Sequence, residues 1–131
     1  MLIVLYFILA SDEGIIIKQS SLPEAGKGVF TTRDIGEGVT IGEYKGECIE
    51  YSKMNENGKY AWELQNGKVV DAWNIEKSNW LRYINDHRTE EGNNLSMYEH
   101  DNRVYYKTIK PIKKGSELFV SYGEKYWEKG V

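Results

Sequence analysis

Hydrophobic and polar residues alternate in short runs along most of the chain, and turns rich in glycine separate these runs. Alternation with a period of two is typical of β-strands that bury one face. The pattern predicts strands at residues 15–18, 28–32, 40–44, 47–51, 60–64, 68–71, 103–108 and 118–122. Asn66 and Gly67 predict a hairpin, and only residues 75–84 have the spacing of a helix. We therefore expect a mainly β domain.

Composition narrows the class of protein. The 131 residues are 40% hydrophobic and 28% charged, as expected of a single globular domain. The net charge of -3 argues against a dedicated nucleic-acid binder and favours a cationic partner. Cys48 has no second cysteine to pair with, which favours a reducing compartment, and with only two histidines the chain has no Cys/His zinc cluster.

The amino-terminal segment, residues 1–14, stands apart from the domain predicted at residues 15–131. Residues 1–10 form a continuous apolar run of about half the length that a membrane-spanning helix needs, so we expect no membrane span. The run fits a buried strand, an export signal without the usual basic start, or a truncated or mispredicted start of the chain.

Four separated stretches together resemble the SET domain of protein lysine methyltransferases. They are GKGVF at residues 26–30, IGEYKGE at 41–47, NWLRYIN at 79–85 and GSELFVSYG at 115–123. The resemblance covers residues 15–127. Residues 85–95 are more similar to the PR subtype, and within it to the meiotic members that methylate histone H3 and carry zinc fingers.

The resemblance implies a SET-domain β-clip, a mainly β fold of several small sheets with one or two short helices. It also implies that the carboxyl-terminal segment is threaded, or pseudo-knotted, an exception among protein folds. S-adenosyl-L-methionine would bind on one side and a peptide on the other, with a narrow channel between them. No metal site is implied.

Three tyrosines match the positions that form this channel in the family. Tyr122 corresponds to the central catalytic tyrosine, and Tyr60 and Tyr106 to the tyrosines that line the channel and bind the substrate lysine. Trp62 and Trp80 are expected to fill the core instead.

The cofactor residues follow from the same resemblance. Gly26, Lys27 and Gly28 would offer backbone amides to the methionine carboxylate, because side chains would obstruct that approach. Asn85 would bind the amino-acid end and Asp86 the adenine edge through its backbone. Tyr126 or Trp127 could stack near the adenine.

The implied function is a histone lysine N-methyltransferase that is located in the nucleus and does not bind nucleic acid directly. Its substrate would be a basic peptide, with the histone H3 tail as first candidate, facing acidic residues such as Glu90, Glu91 and Glu99. Most SET domains have histidine where this chain has Asp86, and some PR domains that lack the histidine are inactive. The alternative is therefore a weak or inactive domain that docks chromatin or corepressor proteins. The sequence does not indicate an oligomeric state.

Overall fold

Eight short strands form three small antiparallel sheets in a computed structural model that describes residues 14–128. The strands are β1 (Ile15–Gln19), β2 (Lys27–Thr31), β3 (Thr40–Glu43), β4 (Glu47–Glu50), β5 (Ala61–Glu63), β6 (Lys68–Asp71), β7 (Leu95–His100) and β8 (Arg103–Thr108). β1 pairs with β2, the second sheet has the order β3-β8-β7, and the third has the order β4-β6-β5. The predicted mainly β fold is confirmed. The apolar run at residues 1–10 lies outside the described residues.

Alternating burial of side chains is clear in β8. In β8, Val104, Tyr106 and Thr108 face the interior, and the residues between them are more exposed. Apolar residues from all three sheets meet in one core, which also contains Leu81, Ile84, Leu118 and Val120. The sheets are therefore held together by a shared core rather than by continuous strand pairing.

The predicted helix at residues 75–84 is wrong. The segment forms two separate 3-10 turns, Ile75–Lys77 and Trp80–Tyr83. Two asparagines explain the break, since the side chain of Asn74 accepts a hydrogen bond from Glu76 N at 3.0 Å and that of Asn79 accepts one from Leu81 N at 3.3 Å. Each asparagine thus starts a new turn instead of continuing a helix. The one α-helix among the described residues is the short α1 (Glu124–Glu128).

The carboxyl-terminal segment does not form the predicted strand at residues 118–122. Instead it lies between two earlier segments: Val120 N donates to Asn85 O at 3.0 Å, and Leu95 N donates to Phe119 O at 2.9 Å. Leu118 is fully buried in this position, and its N–H donates to Val29 O at 2.7 Å. This insertion brings the residues after Val120 against the segment that contains Asn85.

Candidate functional site

Tyr60, Tyr106 and Tyr122 line one narrow cavity with about 30 Å³ of free space. Tyr106 projects from β8, Tyr60 immediately precedes β5, and Tyr122 follows the inserted carboxyl-terminal segment. The structure therefore brings together three residues that lie far apart in the sequence. We call this space the tyrosine cavity; its other lining residues are Tyr44, Lys59, Ala61, Trp62, Arg82, Ile84 and Tyr126.

Hydrogen bonds orient the phenol groups of the tyrosine cavity. Tyr122 Oη donates to Ile84 O at 2.8 Å, and Tyr106 Oη accepts from Trp62 Nε1 at 2.8 Å. Tyr44 Oη donates to Tyr60 O at 2.7 Å. The proton of Tyr122 is thus engaged by a backbone carbonyl, and the lone pairs of its oxygen are the part that can accept a hydrogen bond from an incoming N–H group.

Three of the phenols in the cavity, those of Tyr44, Tyr106 and Tyr122, are neutral at physiological pH. Burial raises the pKa of Tyr44, Tyr106 and Tyr122 well above the ordinary value of a tyrosine, because a phenolate would be poorly solvated there. Nearby tyrosines raise these pKa values further. These three tyrosines can therefore orient and solvate a bound amine as neutral phenols.

Arg82 is a buried cation beside the cavity, and the reasoning from sequence did not identify it. Its Nε donates to Ala72 O at 2.8 Å, and its guanidinium carbon lies 4.1 Å from the ring centroid of Tyr60. This cation–π contact fixes Tyr60 and places a permanent positive charge at the cavity. Trp62, expected only in the core, packs against the core and also lines the cavity. No periodic pattern in the sequence distinguishes Arg82 or Trp62 from other residues, because their contacts at the cavity are with residues distant in sequence.

A groove of about 670 Å³ borders the cavity and contains most of the predicted cofactor residues. Gly26, Lys27, Asn85 and Asp86 line it, and Asn85 Nδ2 donates to Lys27 O at 2.9 Å, which joins the two segments. We call it the cofactor groove; its other lining residues are Leu22, Pro23, Glu24, Ala25, Lys59, Tyr60, Arg82, Tyr83, His87, Arg88, Tyr122, Tyr126 and Trp127.

Gly28 does not line the cofactor groove. It is buried in β2, and a Cβ atom added there would lie 2.2 Å from Glu117 Oε2. The Glu117 carboxylate accepts hydrogen bonds from the hydroxyls of Ser20, at 2.6 Å, and Ser21, at 2.7 Å. The glycine makes room for this buried carboxylate, which holds the loop before β2 in place.

The chemistry of the groove suits S-adenosylmethionine. Its volume lies in the usual range for small-molecule sites. Lys27 and Arg88 are cations that a carboxylate could reach, and Tyr83 and Trp127 contribute aromatic rings that an adenine could contact. Trp127 and Tyr122 are stacked, with ring centroids 5.9 Å apart and planes 20° apart.

A second groove borders the tyrosine cavity through Lys59, Tyr60 and Arg82. This groove, called the outer groove here, encloses about 860 Å³ and is also lined by Glu47, Asn55, Trp73, Asn74, Ile75 and Glu76. Trp73 is 39% exposed and Ile75 64% exposed. None of the acidic residues named from sequence, Glu90, Glu91 and Glu99, lines either groove. The outer groove thus has exposed apolar side chains and two acidic ones beside the cavity.

In the part of the chain that the structure describes, no group of three or more His, Cys, Asp or Glu side chains could hold a metal ion. Between residues 14 and 128 no helix is long and apolar enough to cross a membrane.

Comparisons with known proteins agree on one family. A sequence model described as the PR domain of PR domain zinc finger protein 2 matches residues 15–130. The chain is 39% identical over 114 residues to histone-lysine N-methyltransferase set-17 of Caenorhabditis elegans, covering 84% of this chain and 41% of that protein. It is 32% identical over 123 residues to human histone-lysine N-methyltransferase PRDM7, covering 90% and 25%. The chain thus spans less than half the length of these relatives.

Solved structures show the same similarity. The methyltransferase domain of human PR domain-containing protein 2 superposes with a TM-score of 0.73 at 36% identity, covering 85% of this chain and 78% of that chain. A chain of ctPRC2 in an autoinhibited conformation, bound to S-adenosylmethionine, superposes with a TM-score of 0.70 at 30% identity, covering 89% and 17%.

Proposed function

Because the chain belongs to the PR/SET branch of the SET-domain protein lysine methyltransferases, we propose that it transfers methyl groups from S-adenosylmethionine to a lysine amine. One observation carries the proposal: Tyr60, Tyr106 and Tyr122 line a single narrow cavity that borders two grooves. A lysine side chain in the cavity would reach from the outer groove towards the cofactor groove.

The chemical problem is the charge of the lysine. Near physiological pH only about one free lysine in a thousand is deprotonated, so presenting the neutral amine costs about 4 kcal/mol. S-adenosylmethionine supplies an electrophilic methyl group on a sulfonium when it is bound. The residues of the chain must therefore favour the neutral amine and orient its lone pair.

Neutral phenols and a buried cation suit both tasks. The guanidinium of Arg82, beside the cavity, disfavours a second positive charge there and so lowers the pKa of a bound lysine. Tyr122 Oη, whose proton is directed to Ile84 O, can accept a hydrogen bond from the amine and hold its lone pair in line. The tyrosine rings confine the methylene chain.

The substrate we propose is a basic peptide, with the histone H3 tail as the first candidate, and hence a nuclear location. The outer groove offers Trp73 and Ile75 to apolar parts of an extended peptide. Glu47 is already 3.2 Å from Lys77 Nζ, so Glu76 is the acidic side chain there with more freedom to meet a basic residue.

Incubation of the domain with S-adenosylmethionine and a histone H3 peptide tests the proposal directly. We expect the peptide mass to increase by one, two or three methyl groups, and titration calorimetry to detect cofactor binding. No binding at millimolar cofactor and no mass change would contradict the methyltransferase proposal. Peptide binding without turnover would favour the alternative function, a weak or inactive domain that docks chromatin or corepressor proteins.

Asn85→Ala should weaken cofactor binding about tenfold. Its amide lines the cofactor groove and holds Lys27 O, so the substitution loosens the loop that would face the carboxylate of the cofactor. Titration calorimetry measures the effect, with Asn66→Ala in the distant β5–β6 turn as the control. An unchanged dissociation constant in Asn85→Ala would remove this residue from the binding site.

A further inference from the structure

Asp86 is a buried acid whose side chain the mechanism above does not use. It is 6% exposed, lines the cofactor groove and accepts four hydrogen bonds. The prediction from sequence gave this residue a role only through its backbone. Four donors around one carboxylate indicate a role for the side chain.

The two carboxylate oxygens hold different parts of the chain. Oδ1 accepts from Arg88 N at 2.7 Å and from Asn93 Nδ2 at 3.1 Å, which closes the turn after Asp86. Oδ2 accepts from Tyr122 N at 3.0 Å and from Trp127 Nε1 at 2.9 Å. The second oxygen thus joins the backbone of the central tyrosine to the side chain of a residue in α1.

The aromatic contacts extend this connection into the cofactor groove. The stacked ring of Trp127 lies against Tyr122, and the Arg88 guanidinium carbon lies 3.8 Å from the centroid of the Trp127 ring. All three side chains line the groove. A ligand that contacts the Trp127 ring would therefore act on a residue that shares its hydrogen-bond acceptor with the Tyr122 backbone.

The carboxylate is ionised at physiological pH. Burial by itself would raise the pKa of Asp86, but the hydrogen bonds from Trp127, Tyr122, Arg88 and Asn93 together lower it below its ordinary value. All four are hydrogen bonds to a charged acceptor, which are stronger than those between neutral groups.

We propose that Asp86 is a positioning residue that couples occupation of the cofactor groove to the placement of Tyr122. The proposal rests on the methyltransferase function proposed above. Asp86 touches neither the substrate amine nor the transferred methyl group in this scheme. It acts by fixing the Tyr122 backbone and the Trp127 ring through one shared oxygen.

Asp86→Asn tests the shared oxygen. The asparagine can keep its side-chain oxygen on Arg88 N and Asn93 Nδ2. Its NH₂ group then faces the N–H groups of Tyr122 and Trp127, and these two donors have no acceptor left. We expect the dissociation constant for S-adenosylmethionine to rise, and kcat to fall, each about tenfold, as for the loss of a hydrogen bond to a charged group. Asp34→Asn is the matched control, since Asp34 also accepts a backbone N–H, from Lys114, but lies in no groove described here.

Trp127→Phe removes one donor and leaves the carboxylate in place. We expect a several-fold rise in the dissociation constant with a smaller change in kcat, because the Tyr122 N–H keeps its acceptor. In the Asp86→Asn background the substitution should have little further effect, since the shared contact is already lost. Should Asp86→Asn fail to fold, an unchanged dissociation constant in Trp127→Phe overturns the proposal.

A readout that does not need turnover separates this proposal from the proposed function. In ¹⁵N–¹H spectra, Asp86→Asn should shift the Trp127 indole N–H resonance upfield and speed exchange of the Tyr122 amide. Absence of turnover in the wild-type domain would contradict the function. The coupling would be retained if Asp86→Asn still showed these spectral changes and weaker cofactor binding. Wild-type spectra, dissociation constant and kcat in Asp86→Asn would overturn the coupling itself.

Discussion

Tyr122→Phe is expected to lower kcat about a hundredfold while the domain remains folded. The substitution removes the oxygen that would orient the amine, and poor alignment at the reacting nitrogen has an effect of about this size. The ring stays in its contacts with Tyr126 and Trp127, and the loss of the hydrogen bond to Ile84 O should lower the free energy of unfolding by only about 1 kcal/mol. Steady-state assays with the H3 peptide measure kcat.

Tyr105→Phe is the matched control for this substitution. Tyr105 lies in β8 next to a tyrosine of the cavity, but its own ring stacks on Tyr98, and it lines neither the tyrosine cavity nor the two grooves that border it. We expect near wild-type turnover in this control. Equal turnover in Tyr122→Phe and Tyr105→Phe would remove Tyr122 from the catalytic role.

Gly46→Ala should destabilise the domain by about 3 kcal/mol. A Cβ atom at this position would lie 2.6 Å from Asp71 O, 2.7 Å from Asp71 C and 3.0 Å from Ala72 N. These atoms are backbone at the end of β6, so the clash can be relieved only by moving β4 away from β6. Tyr44 lies two residues before Gly46, and its bond to Tyr60 O should weaken as well.

Urea denaturation measures this loss of stability, and Gly36→Ala provides the control. Nothing lies within 4 Å of a Cβ atom at Gly36, and its φ is not positive, so an alanine there should leave the free energy of unfolding unchanged or raise it by about 0.5 kcal/mol. If Gly46→Ala unfolds at the same urea concentration as the wild type, β4 and β6 are not packed as closely as described.

Local patterns were sufficient for most of the strands but not for three segments. The hairpin of β5 and β6 forms where Asn66 and Gly67 predict it. β7, with sequence LSMYEH, was missed because it has no β-branched residue, and its pairing with β8 supplies what its own composition does not. The predicted helix was wrong because the side chains of two asparagines accept backbone hydrogen bonds and start separate turns. The predicted last strand was wrong because its segment makes only isolated single-residue bridges to distant parts of the chain.

The family resemblance named Tyr60, Tyr106 and Tyr122, and the structure places all three at one cavity. It could not indicate that Arg82 lies against Tyr60, or that the carboxylate of Asp86 joins the Tyr122 backbone to Trp127. The catalytic role of the three tyrosines and the cofactor role of the residues in the cofactor groove stay predictions until the variants above are measured.

By itself, the sequence determined the mainly β class, the family and the identity of the tyrosines, because alternation of apolar residues and short motifs are local properties of a chain. Only the tertiary structure decided which side chains share a cavity and which donors meet each buried acceptor. Those contacts form because the carboxyl-terminal segment lies between residues that are distant in sequence. Contacts of this kind do not produce a periodic pattern of hydrophobic residues, so the sequence does not reveal them.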